Sequence, residues 1–111
     1  MAGWFELGKS SDGQYRFLLK EDGGNTLLTS ELYRAKSGAR GGIESVQTNC
    51  SADERYDRKT SSNGKAYFNL KAANHQIIGT SRMFPSEKER DAGIDAVKTN
   101  GSSTTVKDVT K

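Results

Sequence analysis

Ser10–Lys20 reads SSDGQYRFLLK, and 51 residues later Ser61–Lys71 reads SSNGKAYFNLK. The match continues at the same offset without a gap. Thr29-Ser30 returns as Thr80-Ser81, Gly42-Ile43 and Val46 as Gly93-Ile94 and Val97, and Thr48-Asn49 as Thr99-Asn100. One folding unit is therefore used twice. Within it, Tyr15, Phe17 and Leu19 alternate with Arg16, Leu18 and Lys20, the pattern of a strand with one buried face. Asp12-Gly13 and Asn63-Gly64 predict two-residue hairpin loops of type I′, in which both residues take positive φ.

Trp4–Lys9, Gln14–Lys20 and Thr26–Tyr33 read as an antiparallel meander. Ala39, Gly42, Ile43 and Val46 recur at spacings of three and four, which predicts a helix over Lys36–Gln47. The second unit repeats this with strands over Lys65–Lys71 and Gln76–Phe84. Ser86, with Glu89 three residues on, is a capping box for its helix. The first unit has Ala35 at that place, so its helix should start more weakly. Gly42 and Gly93 each cost a helix roughly 1 kcal/mol against alanine. Their repetition predicts close approach of the helix backbone to the sheet. Asn49 is expected to close its helix in the left-handed conformation.

Glu54–Thr60 aligns backwards with Trp4–Lys9 and forwards with Thr105–Lys111. One strand should close the first unit, open the second, and tie both into one sheet. At 111 residues the chain suits one domain. It divides into repeats of about 4–53 and 54–111 that share the strand near 54–60.

These features resemble the YegP-like family of small bacterial proteins. The resemblance rests on Gly3-Trp4-Phe5-Glu6-Leu7 and the Ser-Ser-Asp/Asn-Gly hairpins. It rests also on Phe68-Asn69-Leu70-Lys71-Ala72-Ala73-Asn74 with Ile77-Ile78, and on the Gly-Ile-x-x-Val helices. It covers nearly the whole chain and implies an α+β fold: two tandem β-β-β-α-β repeats in a single, pseudo-twofold antiparallel sheet. The C-terminal strands are exchanged and two helices pack on the sheet. Single-repeat relatives would pair as homodimers, which makes this chain a pseudo-dimer within one molecule. The family carries no established function.

Composition narrows the remaining classes. The hydrophobic share is 32%, so the core is thin, yet the apolar residues fall in clean alternating runs rather than in a disordered pattern. A net charge of +3 is mild, and no block of like charge marks a dedicated nucleic-acid binder. The lone Cys50 precludes an internal disulfide and suits a reducing compartment. Its repeat counterpart is Gly101, so that position asks for a small residue. No apolar run approaches the ~20 residues that cross a bilayer, and no signal-peptide pattern is present. A cytoplasmic protein without membrane contact is expected.

No chemistry-bearing constellation is present. The single histidine, His75, falls in a turn where the first unit has Gly24. Cysteine, histidine and carboxylates nowhere take metal-ligand spacing, and no nucleophile elbow, P-loop or dinucleotide fingerprint occurs. No enzyme, cofactor or metal is expected. The repeated polar residues are the better candidates for binding: Thr29, Ser30, Thr80, Ser81, Lys20 and Lys71, with Lys36 and Arg40 of the basic first helix. Each repeated pair would sit symmetrically in a pseudo-twofold molecule. The same residues also have plain structural readings, since threonine favours strands and lysine blunts exposed ones. The reading is a small non-enzymatic binding or interaction domain whose partner the sequence leaves open, a protein among the candidates; the alternative is a weak nucleic-acid binder. The expected state is a monomer with internal pseudo-dimer symmetry. Trp4 is expected to be buried.

Overall fold

The computed structural model describes residues 3–110. The alternating segments form β1 (Trp4–Lys9), β2 (Tyr15–Lys20) and β3 (Thr26–Ser30), followed by helix α1 (Lys36–Asn49). A short 3-10 turn, Asp53–Arg55, leads into β4 (Tyr56–Thr60). Then come β5 (Ala66–Lys71), β6 (Ile77–Thr80), α2 (Glu87–Asn100) and β7 (Val106–Asp108). The seven strands make one sheet in the order β4-β5-β6-β3-β2-β1-β7. Both helices pack on one face and reach across the middle: α1 touches β6, and α2 touches β3 and β2.

The sheet is mixed. Every neighbouring pair is antiparallel except β1 and β7, which run parallel. No hairpin joins those two strands, so nothing imposes the antiparallel direction expected for the whole sheet. The two units meet at β3 and β6, where Thr29 pairs with Thr80 and Ser30 with Gly79. That junction corrects the role expected for the strand near residues 54–60. It starts at Tyr56 rather than Glu54, because Asp53–Arg55 coil as the 3-10 turn, and it pairs only with β5 at the far edge. The units are tied instead by β3–β6 and by β7, which crosses to the first unit's β1.

The inward faces of the strands supply two equivalent aromatic trios. Phe17 stacks on Tyr33 with ring centroids 6.4 Å apart and meets Phe5 edge-on at 5.8 Å. Phe68 stacks on Phe84 at 6.4 Å and meets Tyr56 edge-on at 5.6 Å. The repeated helix glycines make room for these rings. A Cβ on Gly42 would lie 2.5 Å from Tyr33 Oη and 2.7 Å from a Phe17 ring carbon, and one on Gly93 would lie 2.7 Å from Phe84. This is the close approach that the repetition predicted.

Strands β3 and β6 end earlier than alternation predicts, and the repeated serines are the cause. Phe17 N–H donates to Ser30 Oγ (2.8 Å), and that hydroxyl donates to Glu31 O (2.8 Å). Phe68 N–H and Ser81 Oγ repeat the arrangement at 3.0 Å, with Ser81 Oγ donating to Arg82 O (2.7 Å). A hydroxyl replaces a ladder carbonyl, the ladder opens, and pairing resumes only as the isolated bridges Tyr15–Tyr33 and Ala66–Phe84.

Local signals are met to different degrees. Ser86 Oγ accepts from Glu89 N–H (3.2 Å), whereas Ala35 offers α1 no side-chain cap. The hairpins are not of type I′. Only Gly13 (φ 87°) and Gly64 (φ 84°) take positive φ, while Asp12 and Asn63 do not. Gly13 N–H donates to Ser10 O and Ser10 N–H to Gln14 O, a type I turn closed by a left-handed glycine. The Ser10 and Ser61 hydroxyls bond to Asp12 and Asn63 and hold this longer loop. Asn49 stays helical instead of left-handed, and Cys50 follows at φ −63°. Its amide serves elsewhere, donating to Ser45 O and accepting from Arg55 Nε. Asn100 does likewise, donating to Ala96 O and accepting from Gly3 N–H ahead of β1.

Candidate binding groove on the open sheet face

The sheet face opposite the helices carries no covering layer among the described residues. Register places one residue from each strand in a row across it: Lys107, Glu6, Leu18, Thr29, Thr80, Asn69 and Asp57. The row is centred on the twin threonines at the pseudo-twofold axis. Thr80 Oγ1 donates to Asn69 Oδ1 (2.7 Å), whereas Thr29 has Leu18 at the equivalent place. Around this centre lies an open groove of about 750 Å³, lined principally by Arg16, Leu18, Thr29, Glu31, Thr80 and Arg82.

The expected binding residues do not form one site. Thr29 and Thr80 face the groove. Ser30 and Ser81 border it but are buried, with their hydroxyls committed to the backbone as described. Lys20 pairs with Glu6 (3.7 Å) and Lys71 with Asp57 (3.1 Å), equivalent ion pairs that flank the row. The hydrogen bond from Lys71 holds the Asp57 carboxyl below the usual carboxylate range. Lys36 and Arg40 lie apart from the groove and clasp the Asp108 carboxylate, at 2.6 and 3.3 Å. The Lys36 hydrogen bond above all, with help from Thr110, holds Asp108 well below its ordinary range.

The groove's charges come from residues that the repeat did not single out. Neither Arg16 nor Arg82 is in an ion pair among the described residues. Arg82 instead lies over the Phe84 ring, 4.9 Å from its centroid. Glu31 and Arg82 occupy equivalent positions in the two units, so opposite charge at one aligned site was the available signal. Arg16 was legible only as the outward neighbour of Phe17.

Other residues considered for chemistry lie outside the groove. His75 holds the left-handed corner of its turn at φ 70° and is exposed, as its alignment with Gly24 suggested. Cys50 is buried, and burial raises its thiol pKa, which disfavours the thiolate. Trp4 is half-buried rather than buried, with Lys107 Nζ 4.2 Å from the centroid of its ring system. Among the described residues no group of three or more His, Cys, Asp or Glu is placed to hold a metal ion. No helix of the described residues is long and apolar enough to cross a membrane. The groove brings together two threonines, two arginines, one glutamate and Leu18.

Known proteins share this architecture. The model of a domain of unknown function, DUF1508, matches twice, at residues 10–57 and 61–108. The chain belongs to the DUF1508 family. It is 62% identical to the UPF0339 protein YegP of Escherichia coli K12, over 99% of this chain and all of the relative. A UPF0339 protein of Acinetobacter baylyi is 58% identical over 99% of each chain. The solution NMR structure of Escherichia coli yegP, a protein of unknown function, superposes with a TM-score of 0.95, covering 99% of this chain and 95% of that one. The solution structure of a UPF0339 protein from Shewanella oneidensis is 58% identical, with a TM-score of 0.94 over 99% and 93% of the two chains. Tandem repeats in one α+β sheet are thus shared with solved relatives, and the family descriptions assign no activity.

Proposed function

We propose that this protein is a non-catalytic binding domain whose groove takes an extended ligand bearing a carboxylate or phosphate group. One observation carries the reading: Arg16 and Arg82, neither in an ion pair among the described residues, line an open groove around twin threonines on the axis. An anion held by both would gain charge-assisted hydrogen bonds of about 1.5–3 kcal/mol each. The same reading makes the protein cytoplasmic, where a single buried thiol stays reduced. The nucleic-acid alternative drew on the basic first helix, and the two cations of that helix already share Asp108.

The test is a two-dimensional amide titration with acidic peptides and with short RNA and DNA, at low and at moderate salt. The reading expects saturable shifts at Leu18, Thr29 and Thr80 with acidic peptide. Arg16→Ala or Arg82→Ala should weaken binding about tenfold, the equivalent of ~1.4 kcal/mol. Shifts confined to α1, induced by nucleic acid and abolished by moderate salt, would favour the alternative instead. A spectrum unmoved at the groove by every anion sinks the proposal.

A further inference from the structure

β1 and β4 are counterparts, 51 residues apart, and each closes the antiparallel part of its half of the sheet. Among the described residues only β1 has a neighbour beyond it. There β7 lies parallel, with Phe5 N–H donating to Thr105 O (2.9 Å) and Val109 N–H to Leu7 O (2.9 Å). Asp108 on that strand is held by Lys36 and Arg40 of α1. Beside β4 the equivalent berth has no strand among the described residues.

Three differences distinguish that empty side. Tyr56 N–H, counterpart of the Phe5 donor, is already given to Asp53 O in the 3-10 turn. Arg58 stands where the first unit has Leu7. Leu7 is buried in the core, whereas the Arg58 guanidinium reaches along the edge to Asp53 (3.1 Å) and Asp91 (3.4 Å). Lys98 closes on the same Asp53 carboxylate at 2.9 Å. Glu87 and Asp91 of α2 occupy the places that Lys36 and Arg40 hold in α1.

We infer that the two edges are addressed by charge and that the β4 edge is closed against the C-terminal strand of a second copy. On β1, two cations accept the carboxylate of Asp108. On β4, the same strand would bring Asp108 against Glu87 and Asp91, displace Arg58, and find its first backbone donor taken. Like charges across an interface reject a wrong partner, and charged side chains on an edge strand blunt it. β7 therefore folds back onto its own chain's β1, and chains do not concatenate edge to edge. Arg58 stands in for the missing eighth strand.

The experiment gives β4 the side chains of the β1 berth, in the full chain, with Arg58→Leu, Glu87→Lys and Asp91→Arg combined. Mass is read by light scattering behind size exclusion over a wide range of protein concentration. The wild type should stay at monomer mass throughout, and the triple variant should form multiples that grow with concentration. A folded triple variant that remains monomeric, or a wild type that itself associates with its β4 amides protected, overturns the inference. If the variant does not fold, a synthetic peptide of residues 104–111 added to the wild type decides. Shifts at Arg58 and Lys59 amides refute closure, and an unmoved β4 supports it.

Discussion

At the scale of single residues, neighbouring glycines in α1 do opposite work. Gly42 faces Tyr33 and Phe17, and a methyl group there would sit 2.5 Å from Tyr33 Oη and 2.7 Å from a Phe17 ring carbon. Gly41 is exposed, and a Cβ on it meets nothing within 4 Å. Gly41→Ala is expected to stabilise the protein by up to ~1 kcal/mol through helix propensity. Gly42→Ala should destabilise by about 1–3 kcal/mol, since overpacking outweighs that gain. Denaturant midpoints of the two variants check this, and a stabilising Gly42→Ala would show that the helix rides higher over Tyr33. The glycine's purpose was readable in the repeat, because a residue unfavourable to helices recurred in the same place. The partner ring was not, since Tyr33 stands nine positions earlier and only the tertiary fold lays it beneath the helix.

At the scale of elements, β7 is the most lightly held strand. It has three residues, two of them exposed, and is anchored to α1 through Asp108. The Asp108 carboxyl is held below its unfolded value, chiefly by Lys36. Its contribution is therefore complete above the unfolded pKa of about 3.9 and is lost as pH falls toward the lower folded value. Hydrogen exchange, corrected for intrinsic rates, should show the Phe5 and Val109 amides losing protection below that range while the Phe17 and Phe68 amides keep theirs. High salt should act in the same direction, because the pair is exposed. Unchanged protection at Val109 in acid would assign the strand's hold to its backbone bonds alone.

At the scale of the molecule, the halves are equivalent in plan but complementary where they touch. Leu28 and Gly79 are repeat counterparts that meet at the junction, and a Cβ on Gly79 would lie 2.9 Å from Leu28 Cγ. Cys50 and Gly101 are counterparts that meet where the helices end, with 2.7 Å between Cys50 Cβ and a Cβ built on Gly101. Two large residues at either place would collide, and two small ones would leave a void. The buried residues of both halves join in one core, and α1 and α2 each straddle the junction. The chain is accordingly expected to unfold as one domain. Limited proteolysis between the repeats should yield no stable half-length fragment, and a protected fragment near 1–60 or 61–111 would refute that cooperativity.

By itself the sequence determined the repeat, the three-strand-and-helix order of each unit, the Ser86 cap and the tight helix glycines. These depend on neighbours within a few residues and on period, which one chain displays directly. Only the tertiary structure decided that β3 meets β6, that β7 lies parallel on β1, and that Ser30 and Ser81 interrupt the ladder. A meander has two edges of similar chemistry, and which edge is used depends on shape and charge far along the chain: Gly79 against Leu28, Asp108 against Lys36. The groove belongs to the same class. Arg16 and Arg82 stand in different units, and only the pairing of Thr29 with Thr80 brings them to one surface.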